Sequence, residues 1–210
     1  ELNPLLGKSI NLDAFEPLVK MSKNAGCERF IYASSSSVYG IKKEKNVNES
    51  MVLEPLTDYS KFKAECEIIL NSYNSTNFCT TVIRPATVCG YSRRQRLDVV
   101  VNILTNLAYN NNCIKVLGGS QLRPNIHIDD MVDSYIKLII CDKKLISGKI
   151  FNIGGENKSV SDIAIDVKKI IGENVKIFYE KTNDNRSYHI SSKKIFEEIG
   201  FKTKKNIKDS

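Results

Sequence analysis

The chain has 210 residues, of which 41% are hydrophobic and 26% charged, with a formal net charge of +7. This is the composition of an ordinary soluble globular protein with enough length for a sizeable core, and no stretch is long and apolar enough for a membrane span or a signal peptide. The lysines are scattered between acids and no aromatic-basic binding motif accompanies them, which argues against a nucleic-acid partner; a modest positive field also suits a phosphate-bearing small molecule.

The six cysteines, at positions 27, 66, 79, 89, 113 and 141, are dispersed, with no C-x-x-C pair and no histidine at metal-ligand spacing. They predict reduced, buried thiols in a cytoplasmic protein, with neither a disulfide framework nor a metal site. Because the sequence begins at Glu1, it reads as a fragment of a longer chain, holding one domain or one plus part of another.

Residues 8–25 carry Ile10, Leu12, Phe15, Leu18 and Val19 at helical spacing, with Gly26 as a stop signal. The run from Phe30 to Ser34 is a buried strand that breaks into serines and ends at Gly40. A polar connection follows, with Pro55 near its end, and then a helix starting near Tyr59 and continuing through Phe62, Cys66, Ile69 and Leu70. Residues 79–84 form the next strand, which Pro85 ends because proline cannot donate to a ladder.

Residues 91–98 form a loop bearing Arg93, Arg94 and Arg96. Beyond it a helix is predicted over 97–109, a strand over 113–117 closed by Gly118 and Gly119, and a strand over 125–128. Asp129 and Asp130 are placed to cap a helix over 131–141. The rest alternates: strand 149–153, helix 159–171 capped by Ser159 or Ser161, strand 175–179, and helix 192–199 ended by Gly200. Helices alternating with short apolar strands predict an α/β fold with a doubly wound parallel sheet.

The chemistry concentrates at Tyr59 and Lys63. Residues i and i+4 share a helix face, so the Lys63 ammonium is expected near the Tyr59 phenol, where it would lower a pKa that is ordinarily about 10. Tyr59 then becomes a general base, and a serine at the preceding strand end holds the hydroxyl whose proton is removed. Such an alcohol oxidation needs a hydride-accepting cofactor. Y-x-x-x-K alone is a weak motif, but here it sits in an ordered series: the serine run from Ser34 to Ser37, then Ile83-Arg84-Pro85-Ala86-Thr87, then Arg123-Pro124-Asn125-Ile126-His127.

In that series the chain resembles the extended short-chain dehydrogenase/reductase family, in its NAD-dependent nucleotide-sugar epimerase/dehydratase branch. The resemblance implies a partial Rossmann-like sheet with a smaller substrate-binding portion: residues 1–90 as the later part of the NAD-binding domain, residues 91–210 as segments of both. No glycine-rich dinucleotide turn occurs; Gly118-Gly119 and Gly154-Gly155 lack its spacing. The resemblance places that turn in an N-terminal part outside this sequence, so these residues alone are expected neither to hold NAD tightly nor to turn over.

By the same resemblance Ser35, Tyr59 and Lys63 are catalytic, with Ser36 or Ser37 replacing Ser35 if the register shifts. Tyr59, Lys63, Arg84 and Pro85 would contact the cofactor, with a carboxylate-paired Arg84 as the other reading. Ser35, Ser36, Thr87, Arg123 and Arg186 would contact a nucleotide-diphosphate sugar, the two arginines holding its diphosphate; many relatives have asparagine where Thr87 stands. His127 is read as a satisfied core histidine, Asp130 as a helix cap, and Gln121 receives no role. The implied activity is epimerisation through a transient keto-sugar, as in UDP-glucose 4-epimerase, in a homodimer. Alternatives on the same scaffold are a dehydratase, reductase or decarboxylase, or a non-catalytic nucleotide-binding member. Dehydratases of the family carry acidic residues directly after the catalytic Ser/Thr, where this chain has Ser36 and Ser37.

Overall fold

The computed structural model describes residues 3–183 and 187–210. In chain order the helices are α1 (Pro4–Lys8), α2 (Phe15–Asn24), α3 (Asp58–Ser72), α4 (Val100–Asn111), α5 (Ile128–Ile140), α6 (Val160–Ile171) and α7 (Lys193–Ile199). The strands are β1 (Arg29–Ala33), β2 (Cys79–Pro85), β3 (Thr87–Cys89), β4 (Cys113–Leu117), β5 (Leu122–His127), β6 (Lys149–Ile153), β7 (Glu156–Ser159) and β8 (Lys176–Glu180).

The main sheet has the order β1-β2-β6 and is parallel throughout. Parallel neighbours need crossover connections, and α3 supplies the one between β1 and β2. Side chains alternate across the sheet. Tyr32 and Val82 enter one apolar cluster with Phe15 and Val19 of α2, Cys66 and Leu70 of α3, and Phe78. Ile83, Phe151 and Ile153 enter another with Met131 and Leu138 of α5 and Ile195 of α7. With helices on both faces, β2 is buried along its whole length up to Pro85, which explains why its sequence reads as an unbroken strand instead of an alternating one.

A smaller portion is built from two short sheets, β3-β5-β7 and β4-β8, under α4 and α6. Its core holds Leu104, Ile114, Val116 and Ile163. Since β3 follows β2 after only Ala86, the two portions meet where the main sheet ends. The cleft described below opens there.

Several expectations are corrected. The helix predicted over 8–25 is two α-helices joined by a π-helical turn, Ser9–Asp13, and helix α4 begins at Val100, not 97. Strand β3 is only three residues long and β7 is polar, so no apolar pattern announced them. Helix α5 is capped not by Asp129 or Asp130 but by His127, whose Nδ1 accepts the Asp129 N–H at 3.1 Å. Asp130 is buried and instead accepts the backbone N–H groups of Lys204 and Lys205, at 3.0 and 2.9 Å, tying down the C-terminal segment. Of the cysteines, Cys66, Cys79 and Cys89 are buried but Cys27 is exposed. Among the described residues no helix is long and apolar enough to cross a membrane.

Gly40 shows how tightly the serine run is closed. It has φ +71, and a Cβ there would stand 2.0 Å from the backbone oxygen of Glu54. The same turn is held by the Glu54 N–H donating to the Val38 carbonyl at 3.1 Å. Gly40→Ala therefore combines a left-handed backbone with a clash against main chain, and we expect it to destabilise the fold by about 2 kcal/mol or more. Denaturant unfolding checks this, with Gly26→Ala, also at positive φ but with nothing within 4 Å of its Cβ, as the strain-only reference.

Candidate active site

Four consecutive serines leave β1 and acquire different surroundings. Ser34 is buried, and its hydroxyl donates to the Glu67 carboxylate of α3. Ser35, in extended conformation, caps a 3-10 turn over Ser36–Tyr39, with Oγ accepting the Ser37 N–H at 3.2 Å and lying 2.9 Å from Ser37 Oγ. The Ser35 hydroxyl and the Tyr59 phenol line the same cavity, and the hydroxyl favours the ionised phenol.

Thr57 fixes the start of α3: its Oγ1 accepts the Ser60 N–H at 3.2 Å, which leaves Tyr59 in the first turn, facing the serines. One turn on, Lys63 Nζ donates to the Ala33 carbonyl at 2.8 Å and lies over the rings of Tyr32 and Tyr59, 4.8 and 5.6 Å from their centroids. Burial holds Lys63 below the ordinary lysine pKa. Burial likewise pushes the Tyr59 phenol above its ordinary value, opposed by the charge of Arg96 and by the Ser35 hydroxyl. The expected lowering of the phenol is thus corrected: burial outweighs the nearby charge, and the Lys63 ammonium is directed at a backbone carbonyl and at ring faces. Among the described residues Arg96 is a cation that pulls the phenol down.

Arg84 is also corrected. The reading of it as a cofactor contact gives way to its pairing with a carboxylate: the guanidinium is 3% exposed and forks onto Glu67, with Nε to Oε1 at 3.0 Å and Nη2 to Oε2 at 2.6 Å. Its Nη1 donates to the Tyr39 hydroxyl at 2.8 Å. Burial alone would weaken the charged form, but Glu67 outweighs it and keeps Arg84 above its ordinary pKa. Pro85, next in the chain, does face the cleft.

The cleft has two connected parts. One, of about 480 Å³, is lined by Ser34 to Ser37, Tyr59, Pro85 to Val88, Arg96, Val99 and Tyr188. The other, of about 510 Å³, shares Thr87, Arg96, Val99 and Tyr188 and adds Lys115, Gln121 and Arg123. The first is hydroxyl-rich and contains the Ser35–Tyr59 pair; the second is the more cationic, which suits phosphate oxygens. Gln121 closes the turn beside it, accepting the Gly119 N–H at 2.6 Å and donating to the Leu117 carbonyl at 2.7 Å. Arg186 lies outside the described residues. Sequence reasoning missed Glu67, Tyr39 and Arg96 as parts of this site; the arginines at 93–96 were visible as a charged loop, but nothing local said which one turns inward.

For a dinucleotide, the residues present fit the nicotinamide-ribose end: Lys63 uses one ammonium proton on Ala33 and retains two donors beside Tyr59. Among the described residues no group of three or more His, Cys, Asp and Glu side chains could hold a metal ion.

The sequence model of the NAD dependent epimerase/dehydratase family matches residues 3–154. The chain belongs to this family. Among curated relatives, the dTDP-D-glucose 4,6-dehydratase of Homo sapiens is 28% identical over 166 residues, covering 78% of this chain and 46% of that protein. UDP-arabinose 4-epimerase 1 of Arabidopsis thaliana is 25% identical over 209 residues, covering 88% and 50%. The crystal structure of UDP-glucuronic acid 4-epimerase from Bacillus cereus, in complex with UDP-glucuronic acid and NAD, superposes with a TM-score of 0.84 at 25% identity, over 95% of this chain and 64% of that one. The chain thus spans about half the length of the curated relatives it matches.

Within this epimerase/dehydratase site the charge of Arg96 is separable from the rest, because its guanidinium is otherwise held by exposed Asp98, at 3.0 and 2.7 Å. Arg96→Gln should move the phenol ionisation of Tyr59 further upward while leaving the melting temperature nearly unchanged. NMR titration of ζ-carbon-labelled tyrosine, assigned with Tyr59→Phe, reads the shift, and no displacement of the Tyr59 titration would contradict the assignment.

Proposed function

We propose that the protein is an NAD-dependent nucleotide-sugar epimerase, resembling UDP-glucose 4-epimerase, that works by transient oxidation of a sugar hydroxyl to a ketone. The observation that carries this reading is the hydroxyl-rich end of the cleft. It brings Ser35, Tyr59 and Lys63 together, and it has serines at 36 and 37, where elimination of water would call for an acid and a base.

In this reading the Ser35 hydroxyl holds the reacting sugar oxygen, and Tyr59 Oη takes its proton as the carbonyl forms. Bound NAD supplies the hydride acceptor and, in the return step, the donor. Lys63 holds the cofactor ribose, with Pro85 lining the cleft nearby. Arg123, and by resemblance Arg186, anchor the diphosphate, with Ser36 and Thr87 contacting the sugar. After the keto-sugar turns over in the cleft, Tyr59 returns the proton, so the product is an epimer with no net redox change. Burial that raises the phenol pKa suits the return step, since it favours the protonated acid. The pull of Arg96 and Ser35 suits the forward one.

Tyr59→Phe in the complete protein should lower turnover by about a hundredfold or more with the fold intact, because the shared proton has no other carrier at that point. Circular dichroism and steady-state rates check it; activity within a few fold of wild type would remove Tyr59 from the role.

The second reading, a sugar-nucleotide dehydratase, is favoured by the similarity to dTDP-D-glucose 4,6-dehydratases. The two differ in product mass. Offered UDP-, dTDP-, GDP- and CDP-hexoses, the complete protein should interconvert epimers of at least one with no change of mass. A product lighter by one water, about 18 Da, formed through acid–base elimination, would reverse the choice.

A further inference from the structure

Helix α3 grips the end of β1 with three side chains on one face, Tyr59, Lys63 and Glu67, spaced four residues apart. They face three consecutive strand-end residues: Lys63 bonds the Ala33 carbonyl, Glu67 accepts from the Ser34 hydroxyl, and Tyr59 lines the cleft together with Ser35. Glu67 is the interior member of this set, 5% exposed, and it alone also reaches the neighbouring strand, through its forked bonds to Arg84. Arg84 continues to Tyr39, whose hydroxyl donates to Asn152 Oδ1 of β6 at 2.8 Å. Asn152 in turn donates to the carbonyls of Val47 and Ser191, at 3.1 and 3.2 Å, and its N–H to Glu49 at 2.7 Å.

A buried carboxylate and guanidinium cost desolvation that their attraction roughly offsets, so the pair adds little net stability compared with apolar groups of equal volume. What such a pair does supply is direction, because a fork of parallel hydrogen bonds tolerates little rotation. Here the fork joins the helix bearing Tyr59, the strand ending at Pro85 and the residue immediately before Ser35.

We propose that Glu67 is a positioning residue for the site: by bonding Ser34 and Arg84 together it sets the end of β1 against α3, and so sets the placement of Ser35 relative to Tyr59. The functional consequence rests on the epimerase reading, but the geometric claim does not. Neither Glu67 nor Arg84 touches substrate in this assignment. Both act through Ser35 and Tyr59.

The test places a fluorinated tyrosine at position 59 of the complete protein, so that its phenol ionises within the stable pH range, and follows it by fluorine NMR. The double variant Glu67→Met/Arg84→Met removes both charges at similar volume. It should fold with a cooperative melt near that of wild type, yet its position-59 phenol should titrate higher by about half a unit to one unit as the Ser35 hydroxyl moves away from it. With natural tyrosine its kcat should fall about tenfold or more with KM nearly unchanged, the signature of misplacement and not of weakened binding. Ser34→Ala cuts only the link from Glu67 to the strand and should move the phenol in the same direction by less; it decides the matter if the double variant does not fold. A folded variant whose phenol titrates as in wild type would show that the pair is structural only. Absence of turnover in the wild-type protein would overturn the epimerase reading and leave the titration to judge the positioning.

Discussion

The buried ion pair between Glu67 and Arg84 is the constraint on which the rest of the site depends. Each partner is nearly inaccessible, and each is anchored in a different element, α3 and β2. Removing either alone would strand a charge in the sheet's interior, a penalty of about 3–5 kcal/mol. The fold therefore cannot slide α3 along the sheet by a fraction of a turn without breaking the fork. The hydroxyl-rich end of the cleft lies close to this junction: Ser35 follows Ser34, Pro85 follows Arg84, and Lys63 and Tyr59 precede Glu67 on the same helix face.

That junction also marks the boundary between what the sequence made legible and what it did not. The main sheet was readable because its strands are short apolar-rich runs and its helices carry apolar positions at helical spacing, which are patterns of one residue and its near neighbours. The Tyr59–Lys63 spacing was readable for the same reason. A carboxylate-paired Arg84 was one of two open readings, but its partner was not legible, because Glu67 lies 17 residues upstream on another element. The short strands β3 and β7 escaped notice because they are ordered by their pairing with β5, not by any periodicity of their own. The capping of α5 went to His127 because the strand β5 runs directly into the helix, so the last strand residue is already the cap and the two aspartates fall inside the first turn.

The electrostatics of Tyr59 teach a related lesson. From spacing alone, a lysine one turn away is the obvious cation for a phenolate. In the folded chain that lysine spends a hydrogen bond on Ala33 and hovers over two ring faces, while an arginine 37 residues downstream, on a loop between β3 and α4, supplies a charge. A ring face is an acceptable seat for an ammonium, since the aromatic quadrupole attracts it, so the lysine is held in place over the rings and on the Ala33 carbonyl. This division leaves Lys63 with donors beside Tyr59 and makes the ionisation of Tyr59 depend on a loop. A loop is the part of a fold that can vary without disturbing the sheet.

The serine run shows why the same backbone can serve different chemistry. On a continued strand, Ser35 and Ser37 would share one face and Ser36 the other. Instead the chain turns into a 3-10 helix at Ser36, so Ser35 and Ser37 lie 2.9 Å apart and all four serines border the cleft. A carboxylate at 36 or 37 would stand near the Ser35–Tyr59 pair and, being negative, would push the phenol further up, against the pull of Arg96. Hydroxyls at those positions add no charge, which leaves the balance between Arg96, Ser35 and burial to set the phenol. They also supply no group acidic enough, unassisted, to protonate a departing hydroxyl, so any proton transfer at this end of the cleft falls to the Tyr59 phenol and to groups beyond the serine run.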